Sequence, residues 1–226
     1  MSILDLGCGP GHFSESLSNW LPNARVTALD SNPAMLAVAR ERVGHAITFV
    51  EARADATQLP DNAFDFVIAR FLFQHLADPI PVAREALRVL KPGGKLVIID
   101  VDDDLFGVVD PHVPGLKRLL ARYGDAQTAR GGNRRIGRSL VRLLRSAGFA
   151  DPQIECIAIH SDESGLAECF PQLDPAPMQS LVSSGHLSAE EFAQFRSAHD
   201  KFVAAADPYA LVLLFAACGV KSPIQS

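Results

Sequence analysis

Apolar and polar positions follow two alternating periods along the first hundred residues. Short apolar runs, typical of buried strands, are separated by stretches in which apolar residues recur every three or four positions, as in an amphipathic helix. Five strands are predicted in this way, at residues 3–5, 25–30, 46–50, 64–69 and 95–101. Strands that alternate with helices favour parallel pairing with right-handed crossovers. The pattern therefore predicts an α/β fold with a doubly wound sheet.

The predicted helices have recognisable starts and faces. Phe13, Leu17 and Leu21 recur at helical spacing after a glycine-rich turn. Asn32 is a predicted N-cap, with Pro33 in the first turn behind it. Further strands at 154–159 and 209–220 complete the prediction. The expected fold is a Rossmann-like sheet of seven strands, mostly parallel with an antiparallel last strand, with helices on both faces.

The regular alternation ends after residue 104. We interpret the chain 1–226 as one domain, with a half at 1–101 that carries the glycine turn and a second half at 102–226. Insertions at about 105–136 and 161–206 are predicted to form a lid over the sheet. Three arginines on a predicted helix, Arg138, Arg142 and Arg145, are interpreted as a solvated face. An aromatic stripe in the second insertion is interpreted as core packing, and it consists of Phe192, Phe195, His199 and Phe202.

Composition narrows the classes of partner and the compartment. The 226 residues are 48% hydrophobic and 21% charged, with a net charge of −5, which argues against nucleic acid as the main partner. The four cysteines form no closely spaced pair, so a reducing compartment is predicted and a metal cluster is not. The longest apolar run, 210–220, is shorter than the roughly 20 residues that a membrane span needs. We therefore expect a cytoplasmic protein without a membrane partner.

The glycine-rich turn and the acidic strand ends carry the candidate chemistry. Gly7, Gly9 and Gly11 alternate directly after the first strand and before a helix. Glycine lets the backbone approach a ligand, and a helix N-terminus favours an anionic group. Asp5 and Asp30 close the first and second strands. A carboxylate about 20 residues beyond such a turn can accept both hydroxyls of a ribose. A nucleoside site is therefore predicted, although both carboxylates could instead cap their loops.

An ordered set of short motifs makes the prediction more specific. The set is Asp5-x-Gly7-x-Gly9-x-Gly11, Asp30, Asp55-Ala56, Phe64-Asp65 and the run LKPGG at 90–94. In this order and spacing it resembles the class I S-adenosylmethionine-dependent methyltransferase family, closely over residues 3–101 and loosely beyond. The resemblance implies S-adenosyl-L-methionine as cofactor and S-adenosyl-L-homocysteine as product. It implies no metal.

The resemblance also implies roles for individual residues. The backbone of Gly7–Gly11 would lie against the methionine portion and the ribose, Asp5 would organise bonds around the amino group, and Asp30 would accept from the ribose hydroxyls. Asp55 would accept from the adenine amino group and the Ala56 amide would face a ring nitrogen. Cys8 fills the loop and is not a nucleophile, and Met35 packs either on adenine or in the core. The implied cofactor-binding set is Asp5, Gly7, Cys8, Gly9, Gly11, Asp30, Ser31, Met35, Asp55, Ala56 and Arg70.

The acceptor side is harder to predict, because methyl transfer needs alignment and exclusion of water more than a strong catalytic group. His75 follows the fourth strand and is a candidate general base, or a residue that only packs in a short helix. Asp102 is a second catalytic candidate after the fifth strand. The candidate substrate residues are Phe71, Gln74, Asp104, Arg130 and Arg134, the last two in a loop predicted to be exposed.

Three functions stay open on these residues. The first is methyl transfer to a small-molecule acceptor, such as a secondary metabolite, by a protein that could form a homodimer. The second is a NAD(P)-dependent Rossmann oxidoreductase, which the glycine spacing and Asp55-Ala56 disfavour. The third is a protein that binds S-adenosylmethionine without methylating, or a cyclase. Family members usually carry a helical segment before the first strand, and this chain begins at that strand.

Overall fold

A computed structural model describes residues 1–44, 47–166 and 175–223. The described residues form eight strands and eight α-helices. The strands are β1 (Ser2–Leu6), β2 (Arg25–Asp30), β3 (Thr48–Glu51), β4 (Phe64–Arg70), β5 (Leu90–Val101), β6 (Gly107–Asp110), β7 (Ala150–His160) and β8 (Tyr209–Val220). The helices are α1 (His12–Trp20), α2 (Pro33–Val43), α3 (Ile80–Val89), α4 (Leu116–Ala129), α5 (Leu140–Ala147), α6 (Ser161–Ser164), α7 (Pro175–Ser183) and α8 (Ala189–Val203).

The strands form one mixed sheet in the order β3-β2-β1-β4-β5-β8, with β6 and β7 also paired to β8. The first five pair in parallel, and β8 runs antiparallel to β5 and to β7. Val101 at the end of β5 pairs with Leu214, and Gly107 at the start of β6 pairs with Val212. β5 and β6 therefore pair one after the other with the same side of β8 and occupy one position in the sheet. The described sheet is thus seven strands wide, which confirms the predicted Rossmann-like α/β fold.

Several predicted boundaries change. The strand predicted at 46–50 is β3 at Thr48–Glu51, and residue 46 lies outside the described residues. The strand predicted at 95–101 begins at Leu90, with a register shift against β4. The strand predicted at 154–159 is the longer β7. The eighth strand, β6, lies inside the first predicted insertion, where no strand was expected.

Local chemistry explains two of the helix starts, including the one that was predicted at Asn32. The Asn32 side chain accepts from the backbone N–H of Ala34 at 2.9 Å, which satisfies a free donor at the start of α2. At α8, the Ser188 and Glu191 side chains each accept from the other's backbone N–H, a capping box.

Three apolar clusters hold the layers together. One lies between the sheet and α3 and α5, and a second between the sheet and α1 and α2. The third joins α4, α7 and α8 to the ends of β5 and β8, and it contains Phe195 and Phe202. The aromatic stripe is therefore core, as predicted. The described parts of both insertions pack on each other here, while 167–174 of the second lie outside the described residues.

Candidate functional site

The glycine loop is shaped by three residues with positive φ. Gly7, Gly9 and Gly11 have φ of +77°, +54° and +82°. The N–H groups of Gly7 and Cys8 donate to the Leu29 carbonyl at 2.8 and 2.9 Å, which ties the loop to the end of β2.

Two of these glycines have close neighbours where a Cβ would lie, and one does not. A Cβ on Gly7 would lie 2.9 Å from Leu72, and a Cβ on Gly11 would lie 2.8 Å from Ala39. A Cβ on Gly9 would meet no atom within 4 Å. The space in front of Gly9 therefore forms a cradle that a ligand can fill against bare backbone.

The loop opens into a cavity at the carboxyl ends of β1, β2 and β4. Its volume is about 340 Å³, within the range of small-molecule sites. The lining residues are Asp5, Gly7, Cys8, Gly9, Pro10, His12, Phe13, Asp30, Arg70, Phe71, Leu72 and His75. The predicted residues Gly11, Ser31, Met35, Asp55 and Ala56 lie outside this lining, and His12, Phe13 and Leu72 belong to it without having been predicted.

Asp30 is oriented by two backbone bonds. Its Oδ2 accepts from the Gly9 N–H at 2.8 Å, and its Oδ1 accepts from the Asn32 N–H at 2.9 Å. The carboxylate is only partly buried and lines the cavity, so its remaining lone pairs are available to hydroxyl groups of a ligand. The neighbouring Ser31 is exposed, and Met35 is 38% exposed on the first turn of α2.

Asp5 lies deeper in the same cavity. The Ser14 hydroxyl donates to its Oδ2 at 2.5 Å. Burial raises the pKa of Asp5 to about 6, against the lowering effects of the Ser14 bond and the Arg70 charge. An ammonium group bound beside this carboxylate would favour its charged form.

Arg70 and Phe71 form the wall at the end of β4. The Arg70 guanidinium lies over the rings of Phe13 and Phe71, with its central carbon 5.0 and 5.2 Å from their centroids. Burial lowers the pKa of Arg70. Phe71 has φ of +56°, a strained conformation for an aromatic residue. Arg70 therefore supplies the cavity with a cationic side chain.

Cys8 is buried, and burial raises the pKa of its thiol to about 12. The thiol is therefore protonated at neutral pH, which agrees with its interpretation as a filler.

The Asp55-Ala56 pair is held within its own loop. Arg53 donates to both carboxylate oxygens of Asp55, at 2.9 and 2.6 Å, and lowers the pKa of that carboxyl group. The Ala56 N–H donates to the Arg53 carbonyl at 3.1 Å. The predicted contacts of this pair with adenine stay a prediction. The Asp55 carboxylate keeps lone pairs that could accept from adenine, whereas the Ala56 N–H would have to leave the Arg53 carbonyl.

Most of the predicted acceptor-side residues lie outside the cavity lining. Arg134, predicted in an exposed loop, is only 5% exposed. It donates to both oxygens of Asp103, at 2.5 and 2.9 Å, and to the Gln74 side chain at 2.6 Å. The prediction of exposure was wrong because Asp103, which binds Arg134, comes from a distant part of the chain.

The other two predicted carboxylates, Asp102 and Asp104, also bind arginine side chains. Asp102 is 1% exposed and accepts from Arg138 at 2.5 and 2.6 Å, so Arg138 is not simply solvated. Asp104 accepts from Arg135 and Arg138. Arg130 is exposed at the end of α4. Among the predicted acceptor-side residues, Phe71 and His75 are the two that line the cavity.

Comparison with known proteins agrees with this geometry. The family described as "Methyltransferase domain" matches residues 4–98. An uncharacterized 37.1 kDa protein in transposon TN4556 of Streptomyces fradiae is 36% identical over 191 residues, or 83% of this chain and 54% of that protein. The demethylmenaquinone methyltransferase of Listeria welshimeri is 35% identical over 127 residues, or 54% of this chain and 51% of that enzyme. The chain thus spans about half the length of these curated relatives.

A solved structure shows the same fold. The phosphoethanolamine N-methyltransferase 2 of Haemonchus contortus, in complex with S-adenosyl-L-methionine, superposes with a TM-score of 0.63 at 22% identity. The match covers 98% of this chain and 49% of that chain. Residues 4–98 therefore match the methyltransferase-domain family, and the described fold is the one seen in this S-adenosyl-L-methionine-bound methyltransferase.

Proposed function

We propose that this protein transfers a methyl group from S-adenosyl-L-methionine to a small organic acceptor. The observation that carries the proposal is the pairing, in one cavity, of the open backbone at Gly9 with the oriented Asp30 carboxylate. A bare backbone beside a carboxylate with free lone pairs suits a nucleoside that bears a polar tail.

The residues of the cavity fit the parts of this cofactor. Asp30 would accept from the ribose hydroxyls, Asp5 would face the ammonium group, and Arg70 would donate to the carboxylate. The cofactor supplies a methyl group on a positive sulfur, which is already activated for displacement. What the chain contributes is therefore binding, alignment and the exclusion of water.

The second half of the chain supports a small acceptor. The described parts of 105–136 and 161–206 pack into one apolar cluster with the ends of β5 and β8, which supports a role for them as a cover over the acceptor. The net charge of −5 gives no general attraction to nucleic acid. A relative named demethylmenaquinone methyltransferase also favours a small organic acceptor, such as a secondary metabolite.

We extend the proposal to compartment and assembly. Cys8, Cys156 and Cys218 are free thiols, as expected in the reducing cytoplasm. None of the described helices combines the length and the apolar character that a membrane crossing requires. A homodimer is proposed as the solution state, and light scattering behind a sizing column would measure it.

Transfer of a radioactive methyl group tests the function. The protein is incubated with methyl-labelled S-adenosyl-L-methionine and an extract of small metabolites, proteins and nucleic acids, which are then separated. We expect label in the small-molecule fraction. Label in protein or nucleic acid would contradict the proposed acceptor class. Binding of S-adenosyl-L-homocysteine without any transfer would instead indicate a cofactor-binding protein that does not methylate.

A further inference from the structure

The outer wall of the cavity carries a histidine whose ring is fixed by a buried glutamine. His75 lines the cavity, and its Nδ1 lies 2.5 Å from Nε2 of Gln127 on α4. Gln127 is buried, although it comes from an insertion 52 residues along the chain. The two side chains meet only because α4 packs against the strand ends.

The orientation of the Gln127 amide follows from a second contact. The same Nε2 lies 3.2 Å from the backbone carbonyl oxygen of Gln74. A carbonyl oxygen only accepts hydrogen bonds, so the amide must present its NH₂ group on this side. The NH₂ group therefore also donates to His75 Nδ1. A neutral imidazole whose Nδ1 accepts carries its proton on Nε2.

The position of the Gln74 carbonyl is itself fixed. The Gln74 N–H donates to Asp100 at 3.1 Å, and its carbonyl oxygen also accepts from the Asn133 N–H at 2.8 Å. Gly132 leaves the room for this arrangement, because a Cβ there would lie 2.5 Å from the Gln74 oxygen. The amide of Gln127 consequently has little freedom to turn over.

The charges around His75 oppose its protonation. Burial, and then the positive charge of Arg134, lower the pKa of His75. Arg134 is itself paired with Asp103. Protonation would also place an Nδ1–H against the NH₂ group of Gln127. The remaining titratable groups around the site are Asp100, which accepts from the Gln74 N–H, and Asp5, Cys8, His12, Asp30 and Arg70 in the cavity wall.

We propose that His75 is a neutral hydrogen-bond donor, which offers Nε2–H to an oxygen of the ligand in the cavity, and that Gln127 is the residue that positions it. This inference rests on the proposed function, because the ligand is taken to be the methyl donor together with its acceptor. It excludes His75 as a general base, since the nitrogen that faces the ligand has no free lone pair. The oxygen belongs either to the carboxylate of the cofactor or to the methyl acceptor.

Nitrogen NMR of the free protein tests the protonation state directly. In ¹⁵N-labelled protein, the His75 signals, assigned by their loss in His75→Gln, should show a neutral ring with the proton on Nε2 at pH 7. In Gln127→Glu, a carboxylate replaces the NH₂ donor, so the proton should move to Nδ1 or the ring should become charged. Gln153→Glu, the same change at an exposed site on β7, should leave the signals unchanged. A wild-type ring protonated on Nδ1 at pH 7 would overturn the inference.

Ligand affinity then shows which oxygen accepts the bond. S-adenosyl-L-homocysteine has the carboxylate, whereas 5′-methylthioadenosine lacks the amino-acid tail. If the carboxylate accepts, His75→Ala should weaken binding of the first compound roughly 10- to 150-fold and leave the second unchanged. If the methyl acceptor does, both affinities should stay constant while the rate of labelled-methyl transfer falls.

A conservative variant separates the hydrogen bond from packing. His75→Gln keeps a side-chain N–H donor and should restore whichever property His75→Ala loses. If neither affinity nor transfer rate changes in His75→Ala, no such bond is made and the proposal fails. Because the NMR measurement needs no cofactor, a failure of the proposed function would be seen separately, as absent binding of S-adenosyl-L-homocysteine.

Discussion

Gly9→Ala separates the role of the glycine loop in binding from its role in folding. Its Cβ would point into open space, with no protein atom within 4 Å. The folded protein therefore bears only the backbone penalty of a residue with φ of +54°. That penalty is about 1–2 kcal/mol, which lowers the Tm of a chain of this size by about 2–8 °C.

The same methyl group would occupy space that we assign to the cofactor. Overpacking of a filled site costs about 1–3 kcal/mol, which weakens binding of S-adenosyl-L-homocysteine roughly 5- to 150-fold. Gly93→Ala is the matched control. Gly93 also has positive φ and open space for a Cβ, but it lies at the opposite end of the sheet, at the start of β5.

Calorimetric titration and thermal unfolding of the two variants measure both effects. We expect similar losses of Tm, and a loss of affinity in Gly9→Ala alone. Equal affinities in Gly9→Ala and Gly93→Ala would show that no ligand approaches the Gly9 backbone, and the assignment of the cradle would be refuted.

Three further predictions concern stability, and urea unfolding checks each of them. Burial raises the pKa of Asp5 to about 6, above its ordinary value of about 3.9. The contribution of Asp5 to the free energy of unfolding is therefore complete below about pH 4 and is lost as the pH rises through 6. Asp5→Asn should remove this pH dependence. Arg134→Met leaves the buried Asp103 carboxylate unpaired and should cost about 3–5 kcal/mol, most of which Asp103→Leu should restore in the double variant. Phe73→Ala removes a fully buried ring and should cost about 3–5 kcal/mol, whereas an equal loss in Phe73→Leu would contradict a cavity as the cause.

The half of the fold that depends on local signals could be predicted from the sequence. The strand at 209–220 and the N-cap at Asn32 were placed correctly, because a long apolar run and an Asn-Pro pair are informative by themselves. The strand β6 was missed because its four residues lie in an insertion and are strand only by virtue of pairing with β8. Contact with a distant strand has no counterpart in the local pattern.

The residues of the site also separate into those that a local signal indicates and those that depend on distant contacts. Asp5 and Asp30 were placed in the cavity because strand ends converge at one edge of a parallel sheet. His12 and Phe13 follow the glycine loop directly, so their proximity could have indicated them. No comparable signal exists for Gln127, whose contact with His75 joins residues 52 apart, since such pairs depend on how the insertion packs.

The account rests on Asp30 as the carboxylate that binds the ribose, and calorimetric titration of Asp30→Asn with S-adenosyl-L-homocysteine tests this most directly. The variant keeps the shape of the side chain but loses one charged acceptor, worth about 1.5–3 kcal/mol, so we expect affinity to fall roughly 10- to 150-fold. Asp65→Asn is the control, because Asp65 also accepts a backbone N–H, from Ser2, but does not line the cavity. Wild-type protein that binds NAD but not S-adenosyl-L-homocysteine, or an Asp30→Asn variant with unchanged affinity, would contradict the account.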